Sequence, residues 1–132
     1  MPNIQVNVNQ VSPATSEGVI RNHKVFIDRP EAKGGEDKGA MGGELLLASL
    51  GGCFMSNLLA AIKAREAAVD GVEIAIDGTL EGSPAQFTAI KMSVAGNYDD
   101  KEQMQKLVTI SERSCIVANT IKGSVDLSFE VV

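Results

Sequence analysis

The segment "ELLLASLGGCFMSNLLAAIKA", residues 44 to 64, constrains the fold most, because its pattern is helical yet apolar on nearly every side. A helix without a polar face has to be wrapped by other structure. Polar character returns only at "KARE", and the helical pattern runs from Glu44 to about Ala68. The stretch from Leu45 to Ile62 comes close to membrane-spanning length. Ser49, Gly51, Gly52, Ser56 and Asn57 interrupt it, which favours a buried helix. A chain of 132 residues is one domain's worth of material, so a partner subunit is the expected source of the remaining cover. Gly51 and Gly52 each cost about 1 kcal/mol of helix stability relative to alanine. Close approach of another backbone is the expected compensation.

The segments around this helix read mainly as strands. "NIQVNVNQV" alternates Ile4, Val6 and Val8 against Gln5, Asn7 and Asn9, a half-buried strand with a polar outer face. "SPATSEG" is turn chemistry, and "VIRNHKVFID" gives two short strands around a turn near Asn22 and His23. "EAKGGEDKGAMGG" is a polar, glycine-rich surface loop without the Lys-Ser/Thr spacing of a phosphate-cradling loop. After the helix, Val72, Ile74 and Ile76 alternate, as do Ile90, Met92 and Val94, with "EGSPA" as the turn of a hairpin. A second helix starts at an N-cap of Asp99 or Asp100. It carries Met104, Leu107, Val108 and Ser111 on one stripe leading to Cys115 at the inner edge of its far end, followed by a short "IVANT" turn. "SVDLSFEVV" closes the series with Val125, Leu127, Phe129 and Val131 inward. This order, without a βαβ repeat, predicts a single α+β domain over residues 1–132 with mostly antiparallel sheet.

Composition narrows the function classes. With 44% hydrophobic and 22% charged residues the chain reads as soluble and globular, and a net charge of −5 argues against nucleic-acid binding. No basic-then-apolar leader opens "MPNIQVNVNQ", so a cytoplasmic address is expected and no membrane partner. In that reducing setting Cys53 and Cys115 are expected to be thiols at rest. Two cysteines and one histidine, His23, which reads as solvated, are too few for a cysteine-rich zinc site.

The cysteines carry the chemistry to be weighed. Both could be small core hydrophobes. Against that, glycines beside Cys53 leave room around its sulfur, and Cys115 ends a helix. Burial raises a thiol pKa, so a reactive Cys53 in mid-helix needs a cation or hydrogen-bond donor brought to it. Arg29, Arg21, Arg65 and Arg113 are the candidates, with surface solvation the better reading for Arg65.

"ELLLASLGGC" followed by "ERSCIVANTI" resembles the OsmC/Ohr family, the osmotically inducible and organic-hydroperoxide-resistance proteins. The resemblance spans nearly the whole chain. It implies an OsmC-like α+β fold, with a long central apolar helix and a second helix, in an intertwined homodimer. It also implies a thiol-dependent peroxidase with no cofactor and no metal. Cys53 would attack an organic hydroperoxide and become a sulfenic acid, Cys115 would condense with it to a disulfide, and a dithiol reductant would reopen the bond. By the same resemblance Arg29 would stabilise the thiolate, with Arg21 in reserve and Glu44 as the glutamate that orients the arginine. Three positions depart from the family pattern. Glu44 stands nine residues before Cys53 where the family places its glutamate ten before, about 100° round a helix. Ile116 replaces the proline after the second cysteine, and Phe54 is the only obvious aromatic for a peroxide pocket. The alternative is a non-enzymatic dimer that binds a small ligand or senses redox state.

Overall fold

The computed structural model describes all residues from Met1 to Val132. The chain divides into two compact units, Met1–Leu46 and Leu47–Val132. The first unit holds strands β1 (Asn7–Gln10), β2 (Ser16–Ile20) and β3 (His23–Ile27) in an antiparallel sheet of order β1-β2-β3. Arg21 and Asn22 make the β2–β3 turn, with Ile20 facing His23 and Arg21 at φ 56°. A tight hairpin connection of this kind draws residues into the left-handed region. The half-buried strand expected over Ile4, Val6 and Val8 is not found: only Asn7–Gln10 is strand, Ile4 and Val6 precede it, and all three side chains are exposed. Three strands in this unit leave that apolar edge without cover from its own sheet.

Helix α1 (Gly42–Ala64) starts in the first unit and continues in the second. Its first turn is closed by Glu44, whose Oε1 accepts the Met41 N–H at 2.8 Å, the reciprocal half of a capping box. It stops at Ala64 rather than near Ala68, because Glu66 turns left-handed (φ 49°) and Ala67 N–H closes back on the Ile62 carbonyl at 3.0 Å.

In the second unit β4 (Asp70–Glu81), β5 (Gln86–Asn97) and β6 (Asp126–Val131) form a sheet of order β4-β5-β6. The hairpin pairs antiparallel, whereas β5 and β6 pair parallel, Ile90 to Leu127 and Met92 to Phe129. A parallel pair needs a crossover. Here it is made by α2 (Lys101–Ser114) and α3 (Ile116–Ile121), so one βαβ unit is present after all. Asp100 caps α2, its carboxylate accepting the Gln103 N–H at 3.1 Å. The core is filled by Leu50, Phe54 and Leu58 of α1, Ile90, Met92 and Val94 of β5, and Met104, Leu107 and Val108 of α2, all at most 1% exposed. One stripe of α1 is therefore core, although the helix is long and apolar enough to cross a membrane.

The two glycines of α1 differ. A Cβ on Gly51 would lie 2.3 Å from Cδ1 of Ile76, so that site is kept small by a neighbouring side chain rather than by a backbone. A Cβ on Gly52 would meet nothing within 4 Å.

Candidate functional site

The α2–α3 junction is where the second unit gathers its thiols. Cys115 leaves helical geometry (φ −78°, ψ 112°), ending α2 and capping α3 at once. Its own N–H bonds the Glu112 carbonyl at 3.2 Å, while its sulfur accepts the Ala118 N–H at 3.4 Å. The "IVANT" segment, expected as a turn, is thus the start of a six-residue helix. One helical turn before Cys115, buried Ser111 satisfies its hydroxyl on the Leu107 carbonyl at 2.6 Å.

Cys53, half-buried on α1, reaches this junction. There the backbone N–H groups of Val117 and Ile116 and the Cys115 thiol act on its sulfur. Burial pushes the Cys53 thiol up, but these three donors outweigh it and hold the group below the ordinary thiol range. Cys115 moves the other way. Burial pushes its thiol up, donation to Cys53 and the charge there push in the same direction, and the N–H groups of Ala118 and Val117 offset this only in part. The two thiols are thus pushed in opposite directions, half-buried Cys53 downward and buried Cys115 upward.

The donors expected for Cys53 were arginines, and these backbone amides were not anticipated. No side-chain motif marks them, since any non-proline residue carries an N–H. Ile116 has an N–H that can act in this way because it stands where the family pattern has proline, which has none. Phe54, expected as a pocket aromatic, is instead fully buried and packs on Phe129 with ring centroids 5.0 Å apart. On α1 it follows Cys53 by one residue, which turns it onto the core side.

Arg29 and Glu44 belong to the first unit. Glu44 is exposed and serves the α1 cap already described. Arg29 is exposed at the side chain, while its backbone is tightly held. Asp28, only 4% exposed, accepts the Arg29 N–H at 2.7 Å on one carboxylate oxygen. Its other oxygen takes the Thr15 hydroxyl at 2.8 Å and the N–H groups of Glu36 and Lys38, each at 3.2 Å. The Arg29 carbonyl accepts the Asp37 N–H at 3.0 Å, and a Cβ on Gly35 would come within 1.9 Å of that oxygen. The glycine-rich loop is therefore wound around a buried carboxylate, and Gly35 is required by the close approach. Burial pushes the Asp28 carboxyl up, but the Thr15 hydroxyl and the three amides together hold it below its usual range. Arg21 lies in the β2–β3 turn, Arg65 just past α1, and Arg113 near the end of α2.

A groove of about 560 Å³ runs beside α1 in the second unit, lined mainly by Ala48, Gly51, Gly52, Met55, Val72 and Ile74. No group of three or more His, Cys, Asp or Glu side chains is placed to hold a metal ion.

The α+β fold, with two thiols acting on one another near a helix junction, points to the class of protein. The family model described as "OsmC-like protein" matches residues 35–130, and the chain belongs to that family. Solved structures give the same fold. An OsmC-like protein from Mycoplasma pneumoniae superposes with TM-score 0.86 at 12% identity, covering 99% of this chain and 96% of the other. An organic hydroperoxide resistance protein OsmC from Legionella pneumophila gives TM-score 0.75 at 18% identity, with coverage of 99% and 97%. The organic hydroperoxide resistance protein OhrB of Bacillus subtilis gives TM-score 0.72 at 20% identity, covering 98% of each chain. No curated protein matches the sequence.

Proposed function

We propose that the chain is a cytoplasmic, homodimeric thiol peroxidase that reduces organic hydroperoxides. The observation that carries this reading is the pairing of a half-buried thiol, Cys53, with a fully buried one, Cys115, that acts on it, which favours Cys53 as the thiolate. The Cys53 thiolate attacks the distal oxygen of ROOH. The O–O bond breaks, the alkoxide leaves and takes a proton as ROH, and Cys53 becomes a sulfenic acid. The Cys115 thiol then displaces hydroxide from that sulfur, giving the Cys53–Cys115 disulfide and water. A dithiol reductant reopens the bond by exchange, restoring two thiols and becoming a disulfide itself. Arg29 is assigned as the guanidinium that stabilises the thiolate and Glu44 as its orienting carboxylate. The family membership and the hydroperoxide-resistance function carried in the names of the Legionella and Bacillus proteins support the substrate class.

A ligand-binding reading is favoured by one feature, the apolar groove along α1. Titration separates the two. With stoichiometric cumene hydroperoxide the reduced chain is expected to lose both free thiols and regain them with dithiothreitol. Cys115→Ser should stop at a dimedone-trappable sulfenic acid, and Cys53→Ser should consume no peroxide. Retention of both thiols in the parent chain refutes the peroxidase reading.

A further inference from the structure

We infer that residues 29–39 form a strap that opens and closes together with the β1–β2 turn, with the Thr15 hydroxyl as the catch. The ends of the strap are pinned side by side: Ile27 bridges to Ala40, and the Asp28 N–H donates to the Ala40 carbonyl at 3.1 Å. Between those ends no residue from Arg29 to Gly39 is buried, so no apolar packing holds the span down. The turn is as bare, since Thr15 alone is buried among residues 11–15. Segments with so little buried surface open locally, at a fraction of the cost of global unfolding. What joins the two is a closed ring of polar contacts. The Thr15 N–H donates to Ser12 Oγ at 3.1 Å, and the Ser12 hydroxyl donates to Glu36 Oε1. The Glu36 N–H donates to Asp28 Oδ2 at 3.2 Å, and the Thr15 hydroxyl closes the ring on the same oxygen at 2.8 Å. Thr15 is only 2% exposed and has one proton to give, with Glu36 Oε1 standing 3.3 Å away as a second acceptor. Losing that hydroxyl takes a donor from buried Asp28 and cuts the turn from the strap at its inner end. The strap begins with Arg29, whose N–H and carbonyl are both bonded inside it. Each opening therefore frees the backbone that carries this guanidinium, whatever the guanidinium acts on.

The test is native-state amide exchange followed by NMR in the full-length chain, with the ring cut from either side. Thr15→Val removes the hydroxyl but no acceptor of the strap amides, since Gly35 and Asp37 donate to the Pro30 and Arg29 carbonyls and Lys38 to Asp28. Glu36→Ala removes the exposed carboxylate but leaves the Val11 and Ser12 N–H groups their acceptor, the Thr15 carbonyl. In Thr15→Val the amides of Gly35, Asp37 and Lys38 are expected to exchange at least about tenfold faster. In Glu36→Ala those of Val11 and Ser12 are expected to exchange at least about threefold faster, while the β4–β5 hairpin keeps its parental rates. Thr15→Ser, which keeps a hydroxyl, is expected to recover most of the protection. Parental rates for the strap in Thr15→Val, or for the turn in Glu36→Ala, overturn the inference. A rise shared by the hairpin in Glu36→Ala also overturns it, because the carboxylate would then be supporting the whole fold rather than a local catch. Should Thr15→Val fail to fold, the Glu36→Ala rates decide alone.

Discussion

Truncating Phe54 to alanine is expected to cost stability rather than chemistry. The ring is wholly buried and lies 5.0 Å from Phe129. Removing such a ring forfeits its transfer energy and leaves a cavity, together about 3–5 kcal/mol. Of this, about 0.5–1.5 kcal/mol belongs to the contact with Phe129 and should appear as coupling when Phe54→Ala and Phe129→Ala are combined. Domains of this size have about 5–15 kcal/mol of stability in all, so the variant keeps a folded population but loses a large part of its margin. At about 4 °C per kcal/mol the melting temperature falls by about 12–20 °C. Denaturant unfolding of the reduced chain measures the loss. Peroxide consumption at a temperature where the variant is still folded measures the chemistry. A variant within about 1 kcal/mol of the parent that has lost peroxide turnover would refute the argument, and Phe54 would then belong to a substrate pocket.

Two further outcomes follow from the charges. The Cys53 alkylation midpoint is expected to lie below the ordinary thiol value of about 8.5 and that of Cys115 above it, and the reverse order would show that the donor pair has been assigned backwards. Asp28 has a folded pKa lowered from its usual value, so its contribution to the loop is full above about pH 4 and is lost as pH falls through the folded pKa. Asp28→Asn should accordingly speed proteolysis between residues 29 and 41 at neutral pH. The difference from the parent should close in acid, as tested with an acid-active protease, and equal cleavage rates at neutral pH would contradict this role.

Where side-chain pattern decides structure, the sequence was readable. Met104, Leu107, Val108 and Ser111 lead down one face of α2 to buried Cys115, and Ile90, Met92 and Val94 point into the core as their alternation requires. What escaped had no side-chain signature. The hinge at Cys115 and the short helix after it are set by local backbone geometry, and "IVANTI" has no strong start signal. Two of the three groups that lower the Cys53 thiol are main-chain N–H groups of that short helix. Asp28 reads as the polar end of a strand, because its partners at Glu36 and Lys38 arrive from across a loop. For Ile4, Val6 and Val8 the alternation was legible but not what covers it, since period alone does not say whether a face meets solvent.

The parallel pairing of β6 with β5 also bears on how the chain matures. Phe129, whose ring packs on Phe54 of α1, is supplied by the strand that leaves the ribosome last of those in this unit. Until then α1 has only the β4–β5 hairpin, and later the crossover helices, to lie against. Nascent chains that stall before β6 would hold a long greasy helix half-clothed, the kind of surface that chaperones retain.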